Sequence, residues 1–142
     1  MQPSEKLINL ITRSEGFSST PYMDQGSLAI GYGHHGPEVK AGLKWTPLDA
    51  QTALMDDLEE FGKQVEHLVK VPLTHGQYDA LVDFVYNLGA GRLQNSTLLS
   101  LLNQKAYAGA GQQLLKWDDV AGKPNTNLLA RRQQELQLWN GE

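Results

Sequence analysis

The chain has 142 residues, 40% of them hydrophobic, which suits a single domain over 1–142 with a sizeable core and leaves too little for two. A formal net charge of -4 argues against a general attraction to nucleic acid or anionic membrane, and the absence of cysteine excludes disulfides and thiolate metal sites. No apolar run approaches the ~20 residues of a membrane span, and the N-terminal segment mixes charges into its apolar positions, so neither a membrane insertion nor a secretory signal is expected.

Ser4 is placed to cap a helix through EKLINLITRSE, in which Leu7, Ile11 and Glu15 follow at successive i+4 steps and Gly16 supplies the stop. Leu28, Ile30 and Tyr32 then alternate with Ala29, Gly31 and Gly33. This pattern predicts a small hairpin sheet turned at Gln25 to Ser27, with one bulky face and one nearly bare. From Thr46 the chain reads as helical. Thr46 is a cap, Pro47 a first helical residue and Asp49 the acid of a capping box. Leu54, Leu58 and Phe61 continue that stripe as far as Gly62, and a second segment through Val65 and Leu68 ends at Val71-Pro72.

Thr74 caps the next helix, with Tyr78, Leu81, Val85 and Leu88 on one side and Gly89 and Gly91 ending it. Ser96-Thr97 start a short helix, YAGAGQQLLKW forms a glycine-diluted one, and NLLARRQQELQLW closes the chain with Leu128, Arg132, Leu136 and Trp139 in register. Strands are expected only in the early segment. The fold class is therefore α+β: a helix, a small antiparallel sheet and a bundle of about five helices. A cleft between sheet and bundle is the natural place for a ligand.

Two acids stand out. Glu15, aligned with Leu7 and Ile11 at the carbonyl end of its helix, is expected to be partly desolvated in a negative potential, which favours the protonated acid. Asp24 precedes a turn whose backbone N–H groups favour the ionised form. One protonated and one charged carboxyl is the requirement for general acid/base hydrolysis of a glycosidic bond. Gly31 and Gly33, alternating on one strand face, either let a bulky ligand approach the backbone or mark a twisted edge. His34 and His35 point to opposite sides of an extended chain and lack companion ligand spacing, so no metal site is expected. GAGR, without a Lys-Ser/Thr ending, reads as a helix stop. Arg131 and Arg132, the one compact basic cluster, read as solvated or ion-paired helix side chains, and no nucleic-acid partner is expected.

EGFSSTPYMDQGSLAIGYGHHG, followed in order by TPLDAQTALMDDL, PLTHGQYDALVDFVYNLGAG, STLLSLLN and LLARRQQELQLW, resembles the phage-type lysozymes and endolysins of glycoside hydrolase family 24 along essentially the whole chain. The resemblance implies a lysozyme-like α+β fold with the active-site cleft between the small sheet and the helical lobe. It also implies cleavage of the β-1,4 bond between N-acetylmuramic acid and N-acetylglucosamine in peptidoglycan, without metal or organic cofactor. By resemblance Glu15 is the general acid, and Asp24 positions and activates the attacking water, with inversion if the carboxyls lie about 6.5–9.5 Å apart. Asp83, Tyr86 and Asn87 fall on the helix that faces the cleft in relatives, and Ala29, Gly31 and Tyr32 on the strand beside the acids. All six are candidate substrate contacts. His34 matches a histidine that pairs with an acid early in the next helix, here Asp57, and the pair is expected to be structural.

Ala29 stands where the family pattern usually has a threonine, and the turn is one residue shorter than the commonest form. A methyl group cannot hydrogen-bond a nucleophilic water. Three explanations remain open: Ser27 supplies the hydroxyl, Asp24 suffices with backbone help, or the chain has become a non-hydrolytic peptidoglycan-binding module. The resemblance implies a monomeric endolysin made in the host cytoplasm without a signal peptide and released to the bacterial wall by a separate holin-like, membrane-permeabilising protein. A tail-associated or effector lysozyme is the alternative setting.

Overall fold

The computed structural model describes residues 1–141. Helix α1 (Glu5–Glu15) leads into an antiparallel sheet of β1 (Ser18–Asp24), β2 (Ser27–Gly31) and β3 (His34–His35), ordered β1-β2-β3. The helical lobe follows: α2 (Pro47–Leu68), α3 (His75–Leu88), α4 (Ala90–Gln94), α5 (Thr97–Asn103), α6 (Tyr107–Gln113) and α7 (Thr126–Trp139). Among the described residues, no helix is long and apolar enough to cross a membrane.

Local chemistry sets most boundaries. The Ser4, Thr46, Thr74 and Ser96 side chains accept from the backbone three residues on, and at Thr46 and Thr74 the reciprocal bond from Asp49 and Gln77 completes a capping box. Helix α3 is the axis of the lobe. Every residue from Gln77 to Val85 is buried, with Phe84, Leu81 and Val82 packed among Leu54, Leu58, Leu98, Leu102 and Leu114. A helix covered on all sides needs partners for its polar residues. Asp79 accepts from the Ser4 hydroxyl and backbone N–H, and Asp83 is held by Arg131.

Four expectations are corrected. Gly62 does not interrupt α2, which runs unbroken for 22 residues; a Cβ there would overlap the Tyr78 hydroxyl, so the glycine permits close approach to α3. Gly89 (φ +98°) ends α3 as expected, but Gly91 lies inside α4. Strands are not confined to the early segment: β4 (Asp119–Val120) pairs with β5 (Lys123–Pro124) around Ala121 and Gly122, both with positive φ, the geometry of a type I′ turn. With α4 separate, six helices rather than about five follow the sheet among the described residues.

Candidate active site

The sheet and the lobe enclose a cleft of about 880 Å³ lined by Glu15, Asp24, Ser27, Gly33, His35, Tyr86, Asn87 and Arg131, among others. Glu15 is the last residue of α1, and Leu7 and Ile11 on the same face are fully buried. Its side chain is 16% exposed. The chain then turns away through Gly16 at φ +69°.

Asp24 arrives from the other side. The two-residue turn Gln25-Gly26 has both φ values positive, +52° and +87°, so β1 and β2 pair tightly and Asp24 lies directly opposite Ser27. Burial, then Glu15, then Asp24 raise the Tyr22 phenol above its ordinary value; one tyrosine thus lies within electrostatic reach of both acids.

Arg131 organises the floor of the cleft. Its Nη1 donates to Glu15 Oε2 at 2.6 Å, while Nε and Nη2 form a fork to the two oxygens of Asp83 at 3.0 and 2.8 Å. Burial alone would lower the guanidinium, but Asp83 and then Glu15 overcome it and raise Arg131. Desolvation opposes the charge on Asp83 as well, yet Arg131 holds its carboxyl below the usual value. Arg132, fully buried beside it, donates to Glu135 and to Asn87, each at 2.8 Å, with its guanidinium 5.5 Å from the centre of the Phe84 ring. Burial and then Asp83 raise Glu135 well above the carboxylate range, so Glu135 is held as the neutral acid beside the ionised Asp83. Among the described residues, Arg132 Nε and Nη1 and Glu135 Oε1 have no hydrogen-bond partner; packing against the Phe84 face compensates the guanidinium.

The Arg131–Arg132 pair is therefore ion-paired and buried, and Arg131 sets a positive charge against Glu15 that the sequence reading left out. Asp83 is fully buried beneath Arg131, so its carboxylate supports the floor rather than facing a sugar. Tyr86 and Asn87 line the cleft. The Tyr86 hydroxyl donates to the Tyr32 carbonyl, and burial foremost raises its phenol strongly. Ala29, Gly31 and Tyr32 are not among the lining residues. Ala29 is fully buried. The spaces beside the two glycines serve the protein rather than a ligand: a Cβ on Gly31 would press on Trp45 and Ala50, and one on Gly33 would come within 2.7 Å of Glu15 Oε1.

The two histidines diverge as expected. His34 Nδ1 meets Asp57 at 2.7 Å, and its Nε2 meets Glu38. The hydrogen bond to Asp57, with Glu38 adding to it, outweighs burial and raises His34 to about 9. His35 Nε2 lies 2.9 Å from Asp24 Oδ2, and its Nδ1 lies 2.8 Å from Ser27 Oγ. Neither Arg131 nor His35 was a candidate on sequence. For Arg131 the available signal was an arginine within a largely apolar helix pattern; for His35 it was the parity that places it on the same strand face as its cross-strand partners.

This architecture, two acids facing a cleft between a small sheet and a helical lobe, is that of the lysozymes. Solved structures share it: a variant of lysozyme from phage P22 has 33% identity and a TM-score of 0.83, with 99% of each chain covered, and the muramidase domain of SpmX from Asticaccaulis excentricus has 31% identity and a TM-score of 0.87, with 97% of each covered. The phage lysozyme family model matches residues 12–135, and the chain belongs to that family. The endolysin of Bacillus phage B103 is 39% identical over 142 residues, which is 98% of this chain and 54% of the relative. The chain thus spans about half the length of that endolysin.

Proposed function

We propose that the chain is an endolysin-type muramidase that hydrolyses the β-1,4 bond between N-acetylmuramic acid and N-acetylglucosamine in peptidoglycan. The observation that carries this reading is the convergence of Glu15 and Asp24 on one cleft, the former gripped by Arg131 and the latter by His35. Glu15 gives its proton to the leaving glycosidic oxygen, through Oε1 because Arg131 occupies Oε2. Asp24 takes a proton from the water that attacks the anomeric carbon, giving inversion. Tyr86 and Asn87 contact the sugar from the helical wall. Cleavage leads to lysis. The protein works as a monomer, and a separate holin-like protein gives it access to the wall from the host cytoplasm.

Purified peptidoglycan treated with the protein should release soluble fragments ending in reducing N-acetylmuramic acid, and Glu15→Gln should abolish that release. The anomer first formed, read by NMR before mutarotation, tests inversion. One observation favours a second reading: with Ala29 fully buried and without a hydroxyl, a sugar-binding module that has lost turnover would also occupy this fold. Retained binding to the wall without release, in a folded sample, would select it.

A further inference from the structure

Asp24, Ser27 and His35 come from three strands and share one face of the sheet. Asp24 pairs with Ser27, and Ala29 pairs with Tyr22 on one side and His35 on the other. Directly opposed residues point to the same face, as do residues two apart on one strand. Asp24, Ser27 and His35 all line the cleft. Ala29, where only a methyl is present, is the cross-strand partner of the imidazole.

The contacts of His35 define a proton arrangement. With Asp24 ionised and the ring neutral, Nε2–H donates to Asp24 Oδ2 and the Ser27 hydroxyl donates to Nδ1. The Ser27 lone pairs are then left as acceptors, and Asp24 keeps Oδ1 unoccupied by His35. A water between them can give one hydrogen to each oxygen, which turns its own lone pair toward a bound sugar.

We infer that His35 is a positioning residue for the hydrolytic step, locking Ser27 Oγ and Asp24 Oδ1 as the two acceptors that hold the attacking water, a service that Ala29 cannot supply. This rests on the muramidase reading and extends it. In the step, the water oxygen bonds to the anomeric carbon as its proton passes to Asp24 Oδ1. The glycosidic C–O bond breaks with its electron pair on the leaving oxygen, and that oxygen takes the Glu15 proton. His35 keeps its Nε2 proton throughout.

The test is kcat and KM on solubilised glycan strands for purified variants whose thermal unfolding matches the parent. His35→Ala should lower kcat about 10²-fold, the scale of a misplaced reacting group, with KM changed less than about twofold. Ser27→Ala combined with it should fall no further, because the two act as one unit. His35→Gln places an amide nitrogen near Nε2 and keeps the Asp24 bond; His35→Asn keeps the Ser27 contact. Each should recover part of kcat. Ala29→Thr should restore kcat at least about tenfold in the His35→Ala background and add little to the parent, since either device orders the same water.

A His35→Ala enzyme with parental kcat would overturn the role, as would a loss carried entirely by KM or one that none of the three replacements relieves. The underlying reading fails separately. If the parent releases no reducing ends and Glu15→Gln changes nothing, the muramidase reading falls and takes His35 with it; activity lost in Glu15→Gln but intact in His35→Ala removes His35 alone.

Discussion

The two walls of the cleft hold their carboxylates by different means. On the lobe side, Glu15 is held by Arg131, whose side chain is only 8% exposed and is itself anchored on the fully buried Asp83. On the sheet side, Asp24 is held by His35, and the two side chains are 31% and 41% exposed. Removing one partner of a buried pair leaves an uncompensated charge in a poorly solvated place, whereas an exposed partner is readily replaced by water. The lobe therefore couples the site to stability, and the sheet is free to adjust it.

Four experiments probe that contrast, beginning with the largest effect. Asp83→Ala strands the Arg131 charge and should cost about 3–5 kcal/mol in urea denaturation. Its activity should fall as well, because Arg131 loses the fork that aims it at Glu15. An Asp83→Ala protein as stable as the parent would mean that the lobe is no more tightly built than the sheet. Gly33→Ala comes next. It forces a left-handed φ of +84° on an L-residue and drives a methyl toward Glu15 Oε1, so it should cost about 1–2 kcal/mol while lowering kcat more than its stability loss explains. Wild-type kcat in the folded variant would show that Glu15 has room to move.

His34 sharpens the comparison by pH. Its pKa is raised from 6.5 to about 9 in the fold, so its cation stabilises the native state fully below pH 6.5 and progressively less as pH rises through 9. The stability gap between the parent and His34→Asn should accordingly be widest near pH 6 and shrink toward pH 9; a gap that widened with pH would reverse the sign. The smallest effect belongs to Glu135→Gln. Because Glu135 is held as the neutral acid, a neutral amide of the same shape keeps the acceptor for Arg132, and stability should change by less than about 1 kcal/mol. A loss comparable to that of Asp83→Ala would place the proton elsewhere in the cluster.

Much of the fold could be read one element at a time. The caps at Ser4, Thr46, Thr74 and Ser96 use hydrogen bonds that span three residues, and such bonds are written in adjacent letters. The same holds for Glu15 on the buried stripe of α1. The hairpin is also local, although its turn is tighter than expected, at Gln25-Gly26 alone. Gly62 misled because a glycine also serves close packing, here against Tyr78; Gly91 misled because α3 already ends at Gly89 and a new helix starts at Ala90. The β4–β5 hairpin escaped because two-residue strands have no periodicity to detect.

The sequence by itself determined the helix starts after Ser4, Thr46, Thr74 and Ser96, the antiparallel pairing beside Asp24, the placing of Glu15 on a buried helix stripe and of Asp24 at a turn, and the divergence of His34 from His35, since each follows from spacing along one or two elements. Tertiary structure alone decided that Arg131 grips Glu15 from 116 residues away, that Asp83 supports that arginine instead of meeting a ligand, and that His35 joins Asp24 to Ser27. Those outcomes depend on which buried charge finds which partner once the lobe closes. Desolvation makes the wrong pairings costly, but only the packed chain brings the right ones within reach.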